Sequence, residues 1–193
     1  MPNLAEEKAY EVHLTVQLNG QEPEALASFA KEYGCRFLHL LLDAGTCPSQ
    51  TMLSWRQSQG VDAALRRSAI LVAELERRGM ASARIKVEAE AVAAAEAEYF
   101  EAHFKLEFDE AQAPELARLA KELGAHMSRN ARSRIGGKQQ HFLTARERTG
   151  DQAQRSFDRV EAALKSGGWR LLSVEREAVL YDSNFGLDEG WAA

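Results

Sequence analysis

Shifted by 90 residues, the chain aligns with itself. Positions 10–63 fall on 100–153 without a gap, and thirteen of those 54 pairs are identical. They are Glu11/Glu101, His13/His103, Leu26/Leu116, Ala27/Ala117, Ala30/Ala120, Lys31/Lys121, Glu32/Glu122, Gly34/Gly124, Gln50/Gln140, Leu53/Leu143, Arg56/Arg146, Gly60/Gly150 and Ala63/Ala153. Unrelated stretches of ordinary composition would share roughly three or four. After one deletion the match resumes, with Gly79 on Gly168 and Glu88 on Glu177. A duplication of this length predicts two copies of one supersecondary unit.

Each copy reads as the same series. Residues 10–18 alternate apolar and polar, as a strand with one buried face does. Pro23 opens a helix that Gly34 closes. CRFLHLLLD and TMLSWRQ are strands on either side of the turn AGTCPSQ, and Gly60 precedes a helix capped by Gly79. ASARIKVEAE is the fourth strand. The second copy offers YFEAHFKLEF, the helix PELARLAKELG, a hairpin around Gly136-Gly137, a helix from Asp151 to Gly168, and the strand WRLLSVEREAVLYD. The order βαββαβ in each half is the ferredoxin-like plan. The expected fold is therefore α+β: two tandem ferredoxin-like repeats with antiparallel sheets packed into one compact unit. The boundaries are 1–91 for the first repeat, 92–98 for an Ala/Glu-rich linker that could extend as a helical turn, 99–182 for the second repeat, and 183–193 for a C-terminal docking tail.

Composition narrows the function classes. The net charge is -5, which argues against bulk attraction to nucleic acid or to an anionic membrane. The open sheet face also lacks the paired aromatics of RNA-binding modules, with Trp55 able to fall on either side. No apolar run reaches the length of a membrane span. The two cysteines, Cys35 and Cys47, have neither zinc spacing nor a disulfide framework. The expectation is a cytoplasmic chain that could form a homodimer, with no membrane partner and nucleic acid disfavoured.

Strand parity then selects the chemistry. Helices cover one face of each sheet, and the other face is expected to be open and to carry the polar set. His13 and Arg56 come from central strands of the first repeat, with Lys86 and Glu88 on its last strand. His103 and Arg146 are the counterparts of His13 and Arg56 in the second repeat, with Lys105 beside His103 on the same strand face, Arg129 on the hairpin and Glu175 and Glu177 on the last strand. Arg and Lys hold phosphate or carboxylate oxygens. Glu can hold a divalent cation, and His can transfer a proton near neutral pH. His103 is the candidate catalytic residue; the others are candidate ligand-binding residues. The implied ligand is a small anion, phosphorylated or nucleotide-like, in a polar cleft between the repeats, with phosphoester chemistry as its reactive form. The competing reading is a solvated face of cross-strand ion pairs, serving a non-enzymatic protein–protein interaction or assembly module. The sequence names no cofactor and no metal.

Other patterns are weaker. His126 and His141 could meet across the second hairpin as a metal pair, without a third ligand. Cys35 reads as a small buried residue and Cys47 as a turn residue. The spacing of Asp182, Asn184, Asp188 and Glu189 misses the EF-hand pattern. Phe185, Leu187 and Trp191 in the tail would cover apolar surface.

Glu101-Ala-His103-Phe-Lys105 resembles the acidic, acidic, lysine alternation of CYTH triphosphate-tunnel enzymes. That resemblance implies triphosphate and metal binding inside an eight-stranded barrel. It departs at His103, where the second acid would stand, and at Thr15, where the first repeat lacks the lysine. CRFLHLLLD, PSQTMLSWR, YFEAHFKL, SRNAR and VEREAVLYDSNFGLDEGW also resemble strings of uncharacterised bacterial proteins of this size. No activity comes with that second resemblance.

Overall fold

The computed structural model describes residues 9–91, 97–135 and 138–191. Most of the 92–98 linker and the Gly136-Gly137 turn expected from the sequence lie outside the described residues. The chain is α+β, with antiparallel strands and α-helices. It divides into two compact units, which trade segments of the chain.

The first unit is Met1–Phe37, Thr51–Glu98 and Ala178–Asn184. It holds β1 (Tyr10–Gln17), α1 (Pro23–Glu32), most of β3 (Ser49–Gln57), α2 (Val61–Arg77) and β4 (Ala81–Glu90). β1 is central: it pairs antiparallel with β3 on one side and β4 on the other. Pro23 begins α1, where its missing N–H costs no hydrogen bond. Val12, Leu14 and Val16 alternate along β1 and pack with Leu26 and Phe29 of α1 and Leu71 and Leu75 of α2. These residues are the core of this unit, and period two on the strand meets the apolar stripes of the helices.

The second unit is Leu38–Gln50, Tyr99–Glu177 and Phe185–Ala193. It takes most of β2 (Arg36–Leu42), then β5 (Tyr99–Glu107), α3 (Ala113–Leu123), β6 (Ala125–Ile135), β7 (Lys138–Glu147), α4 (Gly150–Ser166) and the first part of β8 (Arg170–Asp182). Its strands run in the order β2, β6, β7, β5, β8. The run β6-β7-β5-β8, with helices after β5 and β7, is the ferredoxin-like arrangement. α3 ends on Gly124, whose left-handed backbone (φ 68°) turns the chain directly into β6. α4 starts on Thr149, whose hydroxyl accepts from the Gln152 amide. Ala102, Phe104 and Leu106 of β5 pack with Leu116 of α3 and Phe157, Val160 and Leu164 of α4.

Among the described residues, no helix is long and apolar enough to cross a membrane. Both cysteines are unbridged.

The strand faces turned away from the helices depart from expectation. They were expected to be open, yet Arg84, Glu88, Glu101 and Thr144 are buried. Two local covers account for part of this. In the first unit Asp182 lies on Arg84, held by both Nε and Nη2 at 2.9 and 2.6 Å. In the second, the short helical turn Phe185–Asp188 lies on the Glu101–Arg146 pair.

Candidate functional site: a Glu-His-Arg constellation in each unit

In the first unit, Glu11 stands opposite Arg56 on β3 and Glu88 on β4; His13 stands opposite Ser54 and Lys86. All point to the face away from the helices. Glu11 gathers three donors: Arg36 Nη2, Ser54 Oγ at 2.8 Å and Arg56 Nε at 3.4 Å. Burial pushes the Glu11 carboxyl up, but His13, the Ser54 hydroxyl and Arg36 outweigh it and hold it below the usual glutamate range. His13 Nε2 lies 3.0 Å from Glu88 and 3.8 Å from Glu11, so the imidazole sits between two carboxylates. Lys86 Nζ reaches the other Glu88 oxygen at 2.6 Å. The buried His13 Nδ1 finds no hydrogen-bond partner among the described residues. Arg56 is 74% exposed and Arg36 59%.

In the second unit, Glu101 stands opposite Arg146 and His103 opposite Thr144. Arg146 Nε donates to Glu101 Oε1 at 2.9 Å. His103 Nε2 lies 3.3 Å from Glu177 and 3.6 Å from Glu101, again between two carboxylates. Here Nδ1 is placed, 2.9 Å from the Thr144 hydroxyl. This fixes the ring orientation, as an outer hydrogen bond does for an acid–base or metal-ligating imidazole. Arg146 also carries a second carboxylate, Asp188 at 2.6 Å. Its guanidinium lies over two rings, Tyr99 and Phe185, at 4.7 and 5.0 Å. Burial works against the Arg146 charge, but Glu101 and then Asp188 secure it.

The remaining sequence candidates fall outside these clusters. Lys105 is half-buried, with its ammonium 5.9 Å from the Phe142 ring. Arg129 is half-buried and stands opposite His141. Glu175 is exposed, whereas Glu177 reaches His103. His126 and His141 do not meet. The hairpin register pairs His126 with Thr144 and His141 with Arg129, which puts the two imidazoles on opposite faces. His126 lies against Trp191 at 5.6 Å and His141 against Phe108 at 4.5 Å. Burial lowers the pKa of each. Burial raises both cysteine thiols, and the Asp188 charge raises Cys47 further.

Two participants escaped sequence reasoning. Arg36 heads an apolar strand, where parity alone does not reveal a reach to Glu11. Asp188 stood out only as part of a failed calcium spacing. Its partners, Arg146 and Gln50, are distant in sequence.

No family model matches the chain, and no curated protein matches it. Solved structures of low similarity span most of its length. One is the acetolactate synthase small subunit from Thermotoga maritima, with 12% identity, 91% of this chain and 96% of that one covered, and a TM-score of 0.33. Another is a heme-binding protein from Thermus thermophilus, with 7% identity, 91% and 92% covered, and a TM-score of 0.32. A chlorite dismutase variant from Candidatus Nitrospira defluvii gives 9% identity, 92% and 93% covered, and a TM-score of 0.31. Scores of this size assign no function.

Proposed function

We propose that this chain binds a small anionic ligand, phosphorylated or nucleotide-like, through its Glu-His-Arg constellations. Arg36, Arg56 and Lys86 of the first unit contact the oxyanion. His103 is the acid–base residue of any phosphoester chemistry, and His13 is its ligand-binding counterpart in the first unit. We further propose that the two constellations descend from the duplication of a 1–91 and a 99–182 repeat, and that the chain works in a reducing compartment such as the cytoplasm.

One observation carries this reading: an imidazole held between two carboxylates, beside a carboxylate-bound arginine, at matched positions of both units. Buried ion clusters stabilise a fold no better than apolar residues of equal volume. Ionisable groups gathered at one place are candidates for a functional site. The first unit offers the attraction for an anion, since Arg36 and Arg56 remain solvent-accessible. Arginine's planar fork matches phosphate oxygens in a way a single ammonium does not.

A thermal-shift screen of nucleotides, phosphorylated metabolites and inorganic phosphates tests the reading, because binding to the native state raises apparent stability by mass action. The expected result is a saturable shift with one phosphate class, lost in Arg56→Ala. A flat screen, or a shift unchanged in Arg56→Ala, overturns it.

A further inference from the structure

Arg56 and Arg146 occupy the same place in their units. Each stands on a central strand pair directly opposite a glutamate, Glu11 for Arg56 and Glu101 for Arg146. Their exposures are opposite extremes, 74% for the Arg56 side chain and 4% for Arg146. The difference lies in what covers the second arginine. Phe185 and Asp188 come from the segment that follows β8, and Tyr99 closes the other side. At the position matching Tyr99 the first unit has Ala9, which is exposed.

The segment is fastened at both ends. Asp188 takes Arg146 with one carboxylate oxygen and Gln50 with the other, at 2.6 and 3.2 Å. Trp191 donates its indole N–H to the Met127 carbonyl at 3.0 Å. The Thr46 amide donates to the Glu189 carbonyl, also at 3.0 Å. Gly190, at φ 78°, gives the bend that brings Trp191 back to the sheet.

Asp188 satisfies Arg146 incompletely. Glu101 and Asp188 together engage Nε and Nη2, whereas the buried Nη1 finds no partner among the described residues. A guanidinium presents its donors as a fork, and a phosphate group can bridge the two Nη atoms with two oxygens. A carboxylate already shared with Gln50 covers one of them.

We propose that residues 185–191 are an autoinhibitory strap, and that Asp188 stands where a phosphate oxygen of the ligand binds Arg146. When the ligand arrives, its phosphate takes Nη1 and Nη2, Asp188 leaves, and the segment swings off the Glu101–Arg146 pair. Arg146 then becomes accessible on the side the strap covered, with Tyr99 still on the other. This inference rests on the reading that the chain takes a phosphorylated ligand, and it adds how one subsite is regulated. A strap closed most of the time lowers apparent affinity by the fraction of the open state.

The test is a calorimetric titration of the full chain with inorganic pyrophosphate. The set is the wild type, Asp188→Asn, Trp191→Ala, Arg56→Ala, and Asp188→Asn combined with Arg146→Gln. Asn keeps the size and the oxygen that Gln50 bonds, but loses the charge. Trp191→Ala loosens the strap from its far end and touches neither Arg146 nor Asp188. Both are expected to tighten pyrophosphate binding, by about tenfold if the strap is closed roughly nine-tenths of the time. Arg146→Gln is expected to cancel the gain in Asp188→Asn. Binding that Arg56→Ala weakens, but that neither strap variant tightens, overturns the strap and leaves the ligand reading standing. No binding by the wild type or by either strap variant overturns both.

Discussion

Arg146 and Asp188 are 42 positions apart in sequence, and they meet at 2.6 Å with side chains 4% exposed each. The pair joins the middle of β7 to the segment after β8. Breaking one side of a buried pair leaves the other charge without its partner, which costs more than the pair itself is worth. Asp188→Asn keeps its oxygen for Gln50 and turns an amide N–H toward the Arg146 N–H, donor against donor, while Glu101 still neutralises the guanidinium. The expected loss is about 1–3 kcal/mol, read by urea denaturation. Equal midpoints for the two proteins would mean that the pair contributes nothing to the fold.

Arg56 should separate stability from binding. Its contact with Glu11 is at 3.4 Å and the side chain is mostly in water. Exposed pairs of this kind contribute about 0–1 kcal/mol. Arg56→Ala should therefore melt within a few degrees of the wild type while losing anion affinity. A large drop in melting temperature would show that Arg56 is structural.

Phe104 lies at the centre of the second unit's core and is fully buried between α3 and α4. Phe104→Ala should cost about 3–5 kcal/mol through lost transfer energy and a residual cavity. Ile70, on the exposed side of α2, is the control. Ile70→Ala should change stability by no more than about 0.5 kcal/mol. Equal effects in a denaturant series would contradict the assignment of the core.

His141 gives a pH dependence with a definite sign. Burial beside Phe108 lowers its pKa in the folded chain below the ordinary value of 6.5, chiefly by desolvation, with Arg129 adding to the shift and Glu110 opposing it. The unfolded chain therefore binds the proton first as pH falls. Stability from this group is complete above about 6.5 and declines below it, until the folded imidazole is protonated too. His126 follows the same rule. His141→Gln should flatten part of the decline in denaturation midpoint between neutral pH and about pH 5. An unaltered pH profile would show that His141 does not contribute to it.

Much of the fold was legible because local patterns decided it. The alternation of Ala102, Phe104 and Leu106 with Glu101, His103 and Lys105 announced β5 and its two faces. Pro23, Gly34, Gly60 and Gly124 marked helix ends within a residue or two. That His13 and Arg56 stand on neighbouring strands followed from strand order; that both reach Glu11 did not. What covers a polar face is a different matter. Parity says that Glu101 and Arg146 share a side, and nothing local says that Phe185 and Asp188 will lie on it. Arg36 was missed for a related reason, since its partners Glu11 and Ser54 belong to strands that only the folded sheet brings near. The same limit misled the reading of His126 and His141. One hairpin carries both, but the register puts them on opposite faces.

The most direct test of the central claim is the affinity of the full chain for inorganic pyrophosphate, measured by titration calorimetry in the wild type and in Arg36→Ala/Arg56→Ala. The account predicts saturable binding by the wild type and at least tenfold weaker binding by the variant, about 1.4 kcal/mol or more, with both proteins folded at the same temperature. Equal affinities, or no heat of binding from the wild type, would contradict it.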